Sequence, residues 1–120
     1  SLPLSDETRG LVGRDAFDGM KQTCVVINVG RGPVIDEEAL YDALQTSKIA
    51  GAIIDTWYQY PSAQNPTPLP AGKPFETLSN LIMTPHMSGW TQGTISRRQK
   101  TIADNINRVA RGEVPINQIR

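Results

Sequence analysis

The stretch Cys24-Val25-Val26-Ile27-Asn28-Val29-Gly30-Arg31-Gly32 decides the fold of this chain. Residues 24–29 are mostly apolar and β-branched, which is typical of a buried strand whose two faces are both covered in a parallel sheet. The glycines after this run end the strand in a loop. Parallel α/β sheets bind their ligands just beyond the carboxyl ends of the strands. The stretch therefore predicts an α/β fold and makes Arg31 a candidate binding residue.

A second strand and loop of the same kind occur towards the end of the chain. Residues 81–83 form the apolar run of a strand expected over about residues 81–84, and the run leads into Thr84-Pro85-His86-Met87-Ser88-Gly89. If both strands belong to one sheet, a permanent cation at Arg31 and a titratable imidazole at His86 meet at one cleft. The pair therefore predicts a ligand-binding cleft at the carboxyl edge of the sheet.

The segments between these runs predict a β-α-β unit with parallel neighbouring strands. Asp36 is placed to cap a helix that continues to about Ser47, and residues 50–55 are the next strand. A short helix is expected over residues 14–20. Residues 58–80 are expected to be a loop, because they contain five prolines, and a loop of this length is usually functional or an insertion.

A long helix is predicted over residues 91–111, ended by Gly112 and followed by Pro115. Its apolar side chains recur at helical spacing, which predicts that they pack in a core. These side chains are Ile95, Ile102, Ile106 and Val109.

The amino-acid composition limits the kinds of binding partner that are expected. The chain has 120 residues, 38% of them hydrophobic, and twelve basic residues balance twelve acidic ones, so one small globular domain is expected. With no basic run and no long apolar stretch, we expect a small molecule or another protein chain as partner, and no nucleic acid or membrane. The single cysteine, Cys24, indicates a reducing, cytoplasmic setting and is interpreted as an inert core thiol.

The segment Gly30–Ile35 imitates the dinucleotide fingerprint G-x-G-x-x-G but does not fulfil it. Ile35 occupies the place of the third glycine, which allows helix and strand to pack closely, and Pro33 removes a backbone donor from the turn. We therefore exclude this segment as a pyrophosphate loop, and no other such motif occurs in the sequence.

Four motifs in combination carry a family resemblance. They are residues 3–10, 27–37, 51–55 and 84–89. In this order and spacing they closely resemble the NAD-dependent D-isomer-specific 2-hydroxyacid dehydrogenases, whose superfamily includes formate, phosphite and phosphoglycerate dehydrogenases. The resemblance implies the second half of a Rossmann-type, doubly wound parallel sheet, the C-terminal half of a dinucleotide-binding domain. It also implies that residues 91–120 are a C-terminal helix and tail returning to a substrate domain that these 120 residues do not encode.

The same resemblance implies roles for single residues. Arg31 matches the arginine that binds the substrate carboxylate, and His86 matches the acid/base that exchanges a proton with the substrate oxygen. Asp55 matches the acid that contacts the nicotinamide carboxamide, and Pro3 resembles a residue near the adenine. The positions that match the cofactor site are Pro3, Val29, Gly30, Arg31, Asp55, His86, Ser88 and Gly89. The implied cofactor is NAD, with NADP left open.

Tyr60 departs from the family pattern. Most members have a glutamate directly before the proline at this place, where it supports the protonated histidine; formate dehydrogenases have a glutamine. Tyr60, before Pro61, brings no negative charge near neutral pH. It is a candidate catalytic residue by position alone, and His86 is expected to lack the electrostatic support of a glutamate.

Two classes of function follow. The first is a segment of an oxidoreductase that interconverts a 2-hydroxy acid and a 2-keto acid, inactive in isolation because it has no glycine-rich loop. Such a segment would derive from a longer enzyme or bury its exposed surfaces by forming a dimer or other homo-oligomer. The alternative is a non-catalytic nucleotide-sensing or interaction module, as in the family's transcriptional corepressors, or a remnant with no function of its own.

Overall fold

The protein, described by a computed structural model over residues 2–119, divides into two compact units. The first unit ends at Met87 and contains a parallel sheet. The second begins at Ser88 and contains one long helix. The single domain expected from chain length remains a prediction.

The described residues contain every predicted helix and strand. They are α1 (Arg14–Asp18), β1 (Val25–Asn28), α2 (Glu37–Gln45), β2 (Gly51–Ile54), β3 (Leu81–Met83) and α3 (Gln92–Ala110). Each is somewhat shorter than its sequence pattern predicted. Short 3-10 helices at Gly32–Val34 and Phe75–Thr77 were not predicted.

The sheet has the order β1-β2-β3, and both pairs of neighbours are parallel. Asn28 is in register with Ile54, and Ile54 with Met83, so the last residues of the strands are aligned. This arrangement confirms the predicted β-α-β unit and the α/β class. All three strands therefore end at the same edge of the sheet.

Local chemistry accounts for α2, the helix that covers one face of the sheet. The carboxylate of Asp36 accepts a hydrogen bond from the backbone N–H of Ala39 at 2.8 Å, which confirms the predicted N-cap. The side chains of Leu40 and Leu44 are 1% and 2% exposed and belong to the main hydrophobic core. Burial of these two side chains contributes roughly 1.5–3 kcal/mol each to folding.

The opposite face of the sheet is open, contrary to the sequence-based expectation of two covered faces. Ile27 and Ile82 flank Ile53 in register, and they are 63% and 59% exposed. Val25 and Val29 share this side by strand alternation and are also exposed. The β-branched pattern reflects a strand suited to burial, but the side chains that would cover it are not among the described residues. We call Val25, Ile27, Val29 and Ile82 the open face.

The predicted loop 58–80 is confirmed, but aromatic packing holds it in place. Phe75 is fully buried, and its ring lies 5.3 Å from Tyr41, 5.9 Å from Trp57 and 6.3 Å from Tyr58, measured between centroids. Burial, reinforced by the charge of Glu37, raises the pKa of Tyr58 far above its ordinary value. The phenol therefore stays neutral in this cluster.

A carboxylate of α2 anchors the same loop. Oε1 of Glu37 accepts hydrogen bonds from the backbone N–H groups of Gly72 and Lys73, at 2.6 and 2.9 Å.

The predicted inert thiol, Cys24, is half-buried and packs against the main core. These contacts make the first unit a packed domain despite its long irregular segment.

The second unit is built on α3. Thr91 caps the helix by accepting the N–H of Thr94 at 3.1 Å, and Gly112 follows its end with a φ of +74°. The carboxamide oxygen of Asn105 accepts the N–H of Ile116, so the tail folds back on the helix. No residue of α3 is buried, and the prediction that its apolar residues pack in a core was wrong for the described chain. None of the helices within residues 2–119 is long and apolar enough to cross a bilayer.

Candidate active site

The candidate site lies where the three strands end. Arg31, Asp55 and His86 follow β1, β2 and β3, whose last residues are in register. Neighbouring strands in a sheet lie about 4.8 Å apart. The loops that carry the predicted cation, carboxylate and imidazole therefore leave adjacent strands at one edge.

The carboxamide of Asn28 shapes the loop that carries Arg31. Asn28 is 8% exposed; its Oδ1 accepts the N–H of Gly30, and its Nδ2 donates to the carbonyl of Arg31, both at 3.0 Å. Sequence reasoning missed this role. An asparagine at the end of a strand, two residues before its backbone partner, is the signal that could have found it.

The guanidinium of Arg31 is exposed at this edge. Its Nη1 donates to the carbonyl of Gly30 at 2.8 Å, which restrains the side chain near the loop. A guanidinium has five N–H donors in a planar fork, so this one bond leaves donors that can meet a carboxylate. The geometry suits an anion-binding role.

Gly32 serves close packing between two loops. A Cβ atom at this position would lie 2.4 Å from the backbone oxygen of Trp57, a separation that real structures do not show. The loop after β1 therefore packs directly against the backbone that follows β2. This contact explains the second glycine of the fingerprint-like segment without a phosphate.

Asp55 holds the turn that carries His86. The Asp55 side chain is 1% exposed, and its Oδ1 accepts the hydroxyl of Thr84 at 2.5 Å and the N–H of Met87 at 2.8 Å. These donors flank Pro85 and His86. Asp55 therefore caps the turn that follows β3 through its side chain.

His86 itself is exposed and has a φ of +56°, in the left-handed region that few residues other than glycine adopt. Tyr60 lies beside it, with ring centroids 5.6 Å apart and planes tilted by 53°. The hydroxyl of Tyr60 accepts the backbone N–H of Trp57 at 3.0 Å. The residue in place of the family glutamate is therefore a ring neighbour of the histidine.

The N-terminal segment runs beside the Arg31 loop. Gly10 N–H donates to the carbonyl of Pro33 at 2.8 Å, and Val12 N–H donates to that of Val34 at 3.1 Å. Pro3 is exposed, and its carbonyl accepts the hydroxyl of Thr8 at 2.8 Å.

The remaining predicted cofactor positions fall in both units. Val29 is 46% exposed on the open face, whereas Gly30 is buried in the loop. Ser88 and Gly89 belong to the second unit. The cofactor roles of these residues remain predictions.

Residues 1–88 match the family described as D-isomer specific 2-hydroxyacid dehydrogenase, NAD binding domain. The match includes Arg31, Asp55 and His86. The chain belongs to the D-isomer-specific 2-hydroxyacid dehydrogenase family. The resemblance stated from the four sequence motifs is thereby confirmed.

The relatives named below align with nearly the whole length of this chain. Glyoxylate/hydroxypyruvate reductase B of Enterobacter sp. (strain 638) is 40% identical over 116 residues, which are 97% of this chain and 34% of the relative. The crystal structure of D-lactate dehydrogenase with NAD+ from Lactobacillus jensenii matches with a TM-score of 0.81 at 25% identity, over 100% of this chain and 38% of that one.

A D-isomer specific 2-hydroxyacid dehydrogenase from Xanthobacter autotrophicus Py2, in complex with NADPH and MES, is also similar. Its TM-score is 0.69 at 35% identity, over 99% of this chain and 46% of that one. The chain thus spans about a third of the length of the curated relative named above. These comparisons confirm a Rossmann-type dehydrogenase domain with NAD as the family's cofactor, and they include an NADPH complex.

Proposed function

We propose that the chain is the C-terminal half of the dinucleotide-binding domain of an oxidoreductase that interconverts a 2-hydroxy acid and a 2-keto acid. The observation that carries this proposal is the alignment of Asn28, Ile54 and Met83, after which the loops of Arg31, Asp55 and His86 leave one sheet edge. A glycine-rich loop and a substrate domain come from protein outside these 120 residues. Residues 91–120 lead back to that substrate domain.

The residues present fit the nicotinamide end of the cofactor and the substrate. Exposed Arg31 and His86 offer a fixed cation and a proton carrier, and half-exposed Val29 offers apolar contact to a flat ring. No G-x-G-x-x-G occurs to hold a pyrophosphate on backbone amides at a helix N-terminus. When bound, NADH supplies the hydride that reduces the substrate carbonyl.

Arg31 binds the carboxylate of the 2-keto acid through its planar fork and thereby orients the carbonyl. His86 gives a proton to the carbonyl oxygen as the carbon receives a hydride, so the product is a neutral hydroxyl group. In the reverse direction the neutral imidazole removes that proton. Asp55 keeps the His86 turn in place, and Ser88, Gly89 and Pro3 contribute cofactor contacts.

Tyr60 acts on His86 through its ring. Its hydroxyl already accepts the Trp57 N–H, and its ring lies against the imidazole. The ring therefore limits the positions that the imidazole can occupy, and it brings no negative charge.

The same substitution favours a second candidate, a non-catalytic module that binds the dinucleotide without turnover. Tyr60 removes the charged partner that most relatives provide, and the two candidates differ in whether bound NADH is oxidised. An NADH-binding protein that turns over no keto acid would support the second candidate.

The open face supports the proposal that another protein surface packs against it. Exposed Ile27 and Ile82 are costly to leave in water. We propose that the remainder of the longer chain, or a second copy, covers them.

The function is tested with the complete gene product. NADH binding is followed by nicotinamide fluorescence, and oxidation of NADH is followed with glyoxylate, hydroxypyruvate and pyruvate, a panel suggested by the names of the relatives. Turnover of at least one acid is expected. Binding without turnover would select the non-catalytic module, and absence of binding would contradict both candidates.

Replacing Arg31 by lysine is expected to lower kcat/KM for the best acid about 10²-fold. Lysine keeps the charge but loses the bidentate fork, which is equivalent to losing one charge-assisted hydrogen bond. NADH affinity should fall much less than kcat/KM, because the bidentate contact that is lost is to the substrate. The matched control is Arg14→Lys, at an exposed arginine paired with Asp42 on the surface. Equal kcat/KM values for the two variants would contradict the role of Arg31.

A further inference from the structure

We propose that Thr84 is a positioning residue that sets the direction of the His86 imidazole, an inference that rests on the proposed acid/base role of His86. Thr84 immediately precedes the Pro85-His86 pair. Its side chain and both of its backbone polar groups form hydrogen bonds with residues 54–57, at the end of β2 and just after it. These bonds make Thr84 the link between the histidine turn and the sheet.

The bonds of Thr84 use different atoms. Its N–H donates to the carbonyl of Ile54 at 3.0 Å and continues the ladder of the sheet by one residue. Its Oγ1 donates to Oδ1 of Asp55 at 2.5 Å, and its carbonyl accepts the indole N–H of Trp57 at 2.9 Å. Trp57 is 5% exposed and Asp55 is 1% exposed, so water does not compete freely for these bonds.

One oxygen atom accepts hydrogen bonds from both ends of the turn that carries His86, and these bonds close the turn. Oδ1 of Asp55 also accepts the N–H of Met87 at 2.8 Å. Thr84 and Met87 therefore meet at one buried atom, and only Pro85 and His86 lie between them. The ring of Pro85 restricts its φ, and His86 has a φ of +56°. A left-handed residue between such fixed ends has little freedom to redirect its side chain.

The same bonds link the turn to the neighbour of the imidazole. Trp57 donates its indole N–H to Thr84 and its backbone N–H to the hydroxyl of Tyr60. The ring of Tyr60 lies 5.6 Å from that of His86. Trp57 thus links Tyr60 to the turn that carries the imidazole. Without the Thr84 hydroxyl, the carboxylate of Asp55 loses a donor that helps to orient Oδ1, and the His86 turn loosens.

The test compares Thr84→Val, which keeps the volume and removes the hydroxyl, with Thr84→Ser, which keeps the hydroxyl. The matched control is Thr77→Val, which removes a side-chain bond to the carbonyl of Pro74 within the loop. Each variant of the complete protein is assayed for kcat with its best keto acid. NADH affinity is measured by fluorescence, and folding by far-UV circular dichroism.

Thr84→Val is expected to lower kcat about tenfold to a hundredfold, the effect of a misplaced catalytic group, with NADH affinity and folding unchanged. Thr84→Ser should stay within about threefold of wild type, and so should Thr77→Val. A kcat for Thr84→Val within about twofold of wild type would overturn the proposal. Equal losses in the valine and serine variants, or a parallel loss of folding, would overturn it as well.

A second measurement does not need activity. The Met87 amide is observed by NMR after labelling with 15N-methionine, and its exchange with solvent is expected to be at least about threefold faster in Thr84→Val than in wild type or Thr84→Ser. Unchanged exchange would overturn the positioning role. A wild-type protein that reduces no acid of the panel but shows this difference would contradict the proposed function and leave the turn geometry supported.

Discussion

Asparagine in place of His86 is expected to lower kcat by about 10²–10⁴-fold, because general acid–base catalysis contributes that range and a carboxamide cannot exchange a proton near neutral pH. Asparagine is chosen because it tolerates a left-handed backbone, so the φ of +56° is retained without new strain. NADH affinity should change by less than about threefold. Steady-state kinetics of the complete protein and a nicotinamide fluorescence titration measure both effects.

The control for this variant is Ser47→Asn. Ser47 also has a positive φ, of 54°, but it lies between the end of α2 and the amino end of β2, whereas His86 follows the carboxyl end of β3. This substitution should leave kcat within about twofold of wild type. If His86→Asn retained more than a third of the wild-type kcat, His86 would not be the proton carrier. The chain has only one histidine, so no second imidazole within it could take its place.

Alanine in place of Gly32 is expected to destabilise the first unit by about 3 kcal/mol or more, at the upper end of overpacking effects. Its Cβ would lie 2.4 Å from the oxygen and 2.6 Å from the carbonyl carbon of Trp57. That backbone cannot move away easily, because Trp57 is bonded through its N–H to Tyr60 and through its indole to Thr84. Urea unfolding followed by far-UV circular dichroism measures the loss as a lower midpoint.

Gly19→Ala is the matched control. Gly19 has a φ of −80°, and the nearest atoms to an added Cβ lie 3.7 and 3.8 Å away, in ordinary contact. Its free energy of unfolding should change by less than about 0.5 kcal/mol. Equal midpoints for the two alanine variants would mean that the loops can separate without cost. The close contact would then have no role in holding Arg31.

The sequence predicted the elements that short-range chemistry controls. Asp36 was identified as a helix cap from its place before Glu37 and Glu38, and the structure confirms the bond to Ala39. The runs before Gly30 and Pro85 were identified as strands from their apolar, β-branched composition. Such signals lie within a few neighbouring residues, so sequence reasoning can detect them.

Specific side-chain contacts between distant loop residues were not predicted. Phe75 lies in a proline-rich loop, yet it is the fully buried centre of an aromatic cluster. Trp57 and Thr84 are 27 residues apart and form one hydrogen bond. No local pattern marks such partners, because their pairing depends on which loops the sheet brings together.

Strand composition and helical periodicity alone predicted buried surfaces where the structure has exposed ones, whereas the resemblance to part of a longer enzyme implied exposed apolar surfaces. The open face and the apolar residues of α3 have patterns that resemble buried ones, such as the alternation of Val25, Ile27 and Val29. A pattern states that a surface is suited to burial, but it does not state what covers it. Only the arrangement of neighbouring segments decides that.

By itself the sequence determined the α/β class, the family, and the residues that could carry charge, namely Arg31, Asp55 and His86. Side-chain chemistry and local spacing are written directly in the order of residues. Only the tertiary structure shows that Oδ1 of Asp55 accepts hydrogen bonds from Thr84 and Met87, on either side of Pro85 and His86. It also shows that the ring of Tyr60 lies beside that histidine. The physical reason is that parallel strands align their ends across the sheet, so residues far apart in sequence become neighbours at its edge.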